Sequence, residues 1–242
     1  MKLFIVSYWK RLLAGLFIIT VTGVLALGGY IYKIYYEPIL GSDIENSTII
    51  MIPRGSTFDS VTASVREKGL LPYPRLYRYL ARQLKVYSRV QTGEFEIQHH
   101  WNTYELLQFL ISGKSIRHRV TIPEGNNFAD IAERLFRAEL ADKETILSLK
   151  HDPDLLRKTG VLEATSLEGF LFPETYFFSR AETEQQMLSA MIAQYRKVFN
   201  KDFQQRVEEI GMSEYEVLTL ASIVEKETGA DADRPRIASV FH

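Results

Sequence analysis

Leu220–Gly229 reads LASIVEKETG, and the signals around it are those of a helix. Ser213 is a good N-cap, and Glu216 stands three residues later, the spacing of a capping box. Met212 and Val217 have the spacing of a hydrophobic staple. Gly229 suits the position just past a helix C-terminus, where a left-handed conformation is usual. These marks predict a helix over Glu214–Thr228. At about 100° per residue, Leu220, Ile223 and Val224 fall within about 60° of the direction of Glu227, with Val217 slightly further round. Glu225 points about 160° away, toward the wet side. Glu227 therefore ends the apolar stripe. A carboxyl so placed is partly desolvated and favours its protonated form, as general-acid catalysis requires. Helix geometry leaves a second reading open, in which Glu227 is a solvated residue in a fraying last turn.

The chain has 242 residues, 46% of them hydrophobic, and a formal net charge of −1. That length supports one or two domains with a real core. The charge balance gives no general basic footprint for nucleic acid. Without cysteine there is neither a disulfide framework nor a thiolate metal site. His99, His100, His118, His151 and His242 show no metal-ligand spacing, so no metal is expected.

Leu12–Tyr32 carries no charge and is long enough to cross a bilayer as a helix. Lys2, Lys10 and Arg11 precede it and only Lys33 closely follows, which places the N-terminus inside and the bulk of the chain outside. Tyr8, Trp9, Tyr30, Tyr32, Tyr35 and Tyr36 have the positions of interfacial belts. A cleaved signal peptide competes with this reading, but the apolar run is long for one and no small-x-small site follows. Residues 37–46 read as a polar connector, with ordered structure starting near Ser47. After it come a strand at Thr48–Ile52, a helix at Thr57–Lys68 capped by Ser56, a helix at Pro74–Leu84 and a strand at Glu94–Gln98. A helix opened by Asn102 and ended by Gly113, a strand at Arg117–Ile122 and a helix at Phe128–Leu140 capped by Asn127 follow. IMIPRGSTFDSV at Ile50–Val61 echoes VTIPEGNNFADI at Val120–Ile131, each a strand, a Pro-x-Gly turn and a capped helix. Short helices at Lys143–Lys150 and Pro153–Thr159 lead to Glu168–Tyr176, EGFLFPETY, where Pro173 excludes a helix interior. Its aromatics suit either sugar stacking or, more commonly for such density, a core. Thr183–Asn200 and Asp202–Ile210 read as further helices.

ASIVEKET at Ala221–Thr228, followed by Arg236–His242, resembles the signature of the endolytic murein transglycosylases of the MltG/YceG-like family. EGFLFPETY, and IPEG at Ile122–Gly125, agree with it and keep the order. The resemblance implies an α+β chain with a single N-terminal transmembrane helix, a LysM-like module and a mostly helical catalytic domain. The segments are then 1–11 cytoplasmic, 12–32 membrane, 33–46 connector, 47–115 LysM-like and 116–242 catalytic. It implies that Glu227 is the catalytic acid and that Glu168, Tyr176, Ser222 and Glu225 bind substrate. The substrate would be peptidoglycan glycan strands, cut at the MurNAc–GlcNAc β-1,4 bond with a 1,6-anhydro end and no cofactor. One carboxyl can suffice because the attacking 6-hydroxyl is tethered and so has a high effective concentration, whereas ordinary glycosidases need a pair. Cell-wall synthesis proteins are implied as partners. Family members continue past the Val-Phe-His segment, so the expectation for this sequence is an incomplete cleft with little turnover. A glycan-holding envelope scaffold and a generic single-pass receptor are the other function classes. For the LysM-like module, a structural spacer is the alternative to glycan binding.

Overall fold

The computed structural model describes residues 2–40, 46–88, 90–112, 114–228, 230 and 232–241, with side chains from residue 13 onward. The protein is α+β and mostly helical, with two small two-stranded sheets among the described residues. It divides into two compact units, Met1–Ile116 and Arg117–His242. Gly113 and Gly229, read above as helix terminators, lie outside the described residues.

The first unit begins with helix α1 (Lys2–Tyr35). Its stretch Leu13–Tyr35 is apolar and long enough to cross a membrane, and side chains such as Phe17, Ile19 and Leu25 are exposed. Strand β1 (Ser47–Ile52) follows, then α2 (Phe58–Glu67), α3 (Pro74–Gln83), β2 (Gly93–Gln98) and α4 (Thr103–Ser112). β1 and β2 are antiparallel, from Ser47 opposite Gln98 to Ile52 opposite Gly93. The alternation of β2 puts Phe95 and Ile97 into a core with Tyr77, Leu106, Leu107 and Leu110.

Ordered structure does not wait for Ser47. Ile34 is fully buried in that core and Ile39 nearly so. The Ile39 N–H donates to the Trp101 carbonyl at 2.8 Å, and the Asn102 side-chain amide donates to the Tyr35 carbonyl at 2.9 Å. The end of the apolar helix is thus built into the unit. The segment read as polar carries apolar anchors whose burial outweighs the turn signals around them.

The second unit comprises β3 (His118–Thr121), α5 (Phe128–Arg137), α6 (Lys143–Ser148), α7 (Pro153–Thr159), β4 (Thr175–Phe178), α8 (Glu184–Val198), α9 (Lys201–Glu209), α10 (Glu214–Glu227) and α11 (Arg234–Phe241). β3 and β4 pair antiparallel. Their inner side chains Val120, Tyr176 and Phe178 join Phe128, Ile131 and Leu135 of α5 and Met187, Leu188, Met191 and Ile192 of α8. α8 and α9 are separate helices because Asn200 caps the second, accepting from the N–H groups of Asp202 and Phe203.

The sequence echo is a structural one, with one copy in each unit. Gly55 and Gly125 both take φ +74 in the turn, a left-handed conformation that disfavours other residues. The helix caps are Thr57 and Asn127. The first is one residue later than Ser56, because the Thr57 hydroxyl accepts the Ser60 N–H. Phe58, Val61, Thr62 and Val65 bury the same face of α2 that Phe128, Ile131, Ala132 and Leu135 bury on α5. Both helices end with a backbone bond of 3.1 Å, Leu70 to Val65 and Leu140 to Leu135.

Candidate active site

Of the residues singled out in the sequence, Ser222, Glu225 and Glu227 lie on α10, Tyr176 on β4 and Glu168 in the loop before β4. The start of α10 is as the sequence predicts. The Ser213 hydroxyl accepts the Glu216 N–H at 3.2 Å, and the Glu216 carboxylate accepts the Ser213 N–H at 2.8 Å. Bonds from the backbone and then the side chain of Ser213 hold the Glu216 carboxyl below its ordinary value of 4.5. A lowered carboxyl stabilises the fold above its unfolded value, and that contribution disappears as pH falls through the folded value. Glu216→Gln keeps a capping acceptor but no longer titrates. Its melting temperature, followed by circular dichroism from pH 7 to pH 3, is expected to fall less than that of the unaltered chain (about these limits, set by ordinary carboxylate values). Glu133, lowered first by its bond from Lys143, titrates in both proteins and leaves a shared residual slope.

The N-terminal half of α10 is anchored firmly. Val217 and Leu218 pack on a cluster of Phe170, Tyr195, Phe199 and Val207. Glu214 accepts hydrogen bonds from the Tyr195 hydroxyl at 2.8 Å and from Arg196. Burial, and then the Glu214 bond, push the Tyr195 hydroxyl well above the tyrosine range. Gly169, at φ +85, lies so close to α10 that a Cβ there would meet Leu218 Cδ2 at 3.0 Å.

The C-terminal half is more open. Val224 is buried, but Ile223 is 37% exposed and Glu227 is exposed. The desolvation inferred for Glu227 from helical periodicity is therefore absent. Among the described residues, the apolar stripe is covered where α10 meets the Phe170 cluster and at Val224. Among the described residues, Glu227 has no hydrogen bond or ion pair to hold its carboxylate. Ser222 is exposed, and its hydroxyl donates to the Thr219 carbonyl at 2.7 Å.

Glu225, read as wet, is instead half-buried. Arg234, the first residue of α11, lies 3.1 Å from its carboxylate and 3.8 Å from that of Glu124. Glu124 belongs to IPEG, whose Ile122 N–H donates to the Glu174 carbonyl in EGFLFPETY at 3.0 Å. IPEG thus reaches the end of α10 through Glu124 and Arg234, while EGFLFPETY is joined to IPEG at Ile122 and to the first half of α10 at Gly169. Sequence reasoning missed both Arg234 and Glu124. The available signal was charge, since Arg234 follows Glu225, Glu227, Asp231 and Asp233 within ten residues.

Two predicted substrate contacts have structural roles. Both Glu168 oxygens are engaged: one accepts the Phe128 N–H at the start of α5 at 2.9 Å, the other the Lys150 ammonium at 2.8 Å. Tyr176 is a core residue at 8% exposure, stacked on Phe178, with its hydroxyl donating to the Phe172 carbonyl at 2.5 Å. It has no ring face to offer a sugar. Its β4 neighbour Phe177 is exposed, as strand alternation dictates. Among the described residues, no three His, Cys, Asp or Glu side chains are grouped as metal ligands.

Residues 50–242 match the sequence profile of the YceG-like family. The chain is 27% identical to an endolytic murein transglycosylase of Streptococcus pneumoniae serotype 2, over 90% of this chain and 44% of that protein. It is also 27% identical to an endolytic murein transglycosylase of Bacillus subtilis strain 168, over 89% of this chain and 63% of that one. A yceG-like protein of Listeria monocytogenes with a known crystal structure is 23% identical, at a TM-score of 0.45, over 81% of this chain and 69% of that one. The chain thus spans about half the length of the curated relatives it matches.

Proposed function

The chain belongs to the YceG-like family, and on that premise we propose that it is a membrane-anchored lytic transglycosylase acting on peptidoglycan glycan strands. The observation that carries the proposal is the Glu124–Arg234–Glu225 charge chain, which brings IPEG to the end of α10, where the Glu227 carboxylate has no protein partner among the described residues. Glu168 and Glu225 are engaged with Lys150 and Arg234, which leaves Glu227 as the acid for a substrate. In this reading Glu227 protonates the oxygen leaving C1 of MurNAc in the MurNAc–GlcNAc β-1,4 bond. The resulting carboxylate takes the proton of the MurNAc 6-hydroxyl, whose oxygen closes on C1 to give the 1,6-anhydro end. The carboxyl returns to its starting protonation and no water is consumed. The sugar itself supplies the desolvation that the free chain lacks.

Residues 116–242 are assigned the catalysis and residues 47–115, as a LysM-like module, the holding of glycan. α1 is the anchor, with the N-terminus inside and the two units outside the cytoplasmic membrane. Cell-wall synthesis proteins are the partners such a position suits. A second reading, a catalytically incomplete protein that holds glycan strands at the envelope, is favoured by one observation, the exposure of Glu227.

The test incubates the full chain in detergent with purified glycan strands and reads products by mass spectrometry. New 1,6-anhydro ends are expected. Bound strands without product would favour the holding role, and neither binding nor product would defeat both readings.

A further inference from the structure

The last turns of α1 contact Tyr79 of α3 and Tyr73, the residue that precedes α3. The Tyr30 ring meets Tyr79 edge to face at 5.8 Å, and the Lys33 ammonium donates to the Tyr73 hydroxyl at 2.7 Å. That hydroxyl donates in turn to Glu37 at 2.7 Å. α3 therefore stands at the level where the apolar stretch Leu13–Tyr35 ends. A cavity of about 400 Å³ opens there, lined by Arg66, Pro72, Tyr73, Pro74, Arg75, Leu76 and Arg78, with no acidic residue in its wall among the described residues. Among the described residues, neither Arg66 nor Arg75 has an ion-pair partner. Arg78 has only a 3.6 Å pairing with Asp59, at 49% and 70% exposure, and such exposed pairs contribute little. Arg75, Arg78 and Arg82 follow the i, i+3, i+7 spacing of one helix face. Tyr79, 51% exposed, stands beside them as an amphipathic interfacial ring. The net charge of the whole chain is −1, so this basic surface is a local concentration.

We propose that this cavity binds the headgroup of an anionic phospholipid in the leaflet from which α1 emerges. The inference rests on the reading of α1 as a membrane anchor. The guanidinium groups suit a phosphodiester, which they can grip with paired N–H donors. Pro72 and Leu76 offer apolar wall to the glycerol and the first acyl carbons. The volume lies within the usual range for small-ligand sites.

The experiment reconstitutes the full chain in nanodiscs of phosphatidylcholine containing a minority of phosphatidylglycerol. The protein is re-extracted in mild detergent and its bound lipid counted by mass spectrometry. Phosphatidylglycerol is expected to be enriched about tenfold over the disc composition, the scale set by a few basic side chains at an anionic surface. The combined variant Arg66→Gln, Arg75→Gln, Arg78→Gln should return to the disc composition. The corresponding three Arg→Lys changes should keep part of the enrichment, which separates loss of charge from loss of fold. Equal enrichment in the unaltered chain and the Gln variant would overturn the inference. So would loss of enrichment in inorganic phosphate at matched ionic strength, which would make this a free-phosphate site. A chain not retained in discs would remove the anchor reading and this inference with it. A chain retained without enrichment would remove this inference alone.

Discussion

Glu227→Gln is expected to lower the formation of 1,6-anhydro ends by about 10²–10⁴-fold, the usual contribution of a positioned acid–base group, while glycan binding is kept. The amide has nearly the shape of the carboxyl but cannot deliver a proton to the leaving oxygen or take one from the 6-hydroxyl. Because Glu227 is exposed and unheld among the described residues, the substitution disturbs no protein contact there, and melting should be unchanged. Glu225→Gln is the informative companion. Its carboxylate lies 3.1 Å from Arg234, so its loss should loosen α11 from α10 and reduce the rate through geometry, less severely than loss of the acid. Mass spectrometry of the products and co-sedimentation with glycan separate rate from binding. A Glu227→Gln protein with an undiminished rate would remove Glu227 from the mechanism. A larger loss from Glu225→Gln than from Glu227→Gln would move the acid role to the wrong-facing partner and sink the assignment made from helical geometry.

What the sequence could reveal depended on whether the deciding interaction was local. The capping boxes at Ser213 and Asn127, the turn glycines Gly55 and Gly125, and the apolar run of α1 are set by neighbours within one helical turn or by composition. All of them are legible as residue patterns. The environment of Glu227 is not local. Periodicity puts it on the apolar stripe, but whether the stripe is covered depends on which segments pack over it, and Phe170 and Leu218 cover only the other end. Tyr176 was equally ambiguous in a dense aromatic stretch. Its fate followed from the inward alternation of β4 against β3 and from the Phe172 carbonyl that takes its hydroxyl bond. Arg234 joins positions 110 residues apart, Glu124 and Arg234, and no local signal encodes such a contact. The connector error has the same origin, because Ile34 and Ile39 are anchors only once α4 and the loop before it stand opposite them.

Phe170→Ala is expected to be the most damaging single change to the second unit. The ring is completely buried, edge-on to Tyr195 at 5.3 Å and 6.5 Å from Tyr215. Removing a buried phenylalanine ring costs about 3–5 kcal/mol in lost transfer energy and residual cavity, a large share of the roughly 5–15 kcal/mol that holds a typical domain folded. At roughly 2–4 °C per kcal/mol for a chain of this size, the melting temperature should drop by about 10 °C. The damage should centre on α10. Its N-terminal half depends on this cluster, whereas its C-terminal half has only Val224 buried. Hydrogen exchange along α10 should therefore accelerate more than along α5, whose face is buried in the other cluster. Phe177→Ala is the control: its ring is 54% exposed, and surface changes of this kind usually stay within about 0.5 kcal/mol. Calorimetry on both variants, paired with glycan co-sedimentation, decides what the aromatic motif is for. A stable Phe170→Ala protein that had lost its glycan would make the ring a sugar platform and contradict its burial. An unstable one, with Phe177→Ala stable but weakened in binding, would leave Phe170 as the pin that holds the Glu227 helix and make Phe177 the ring that meets the sugar.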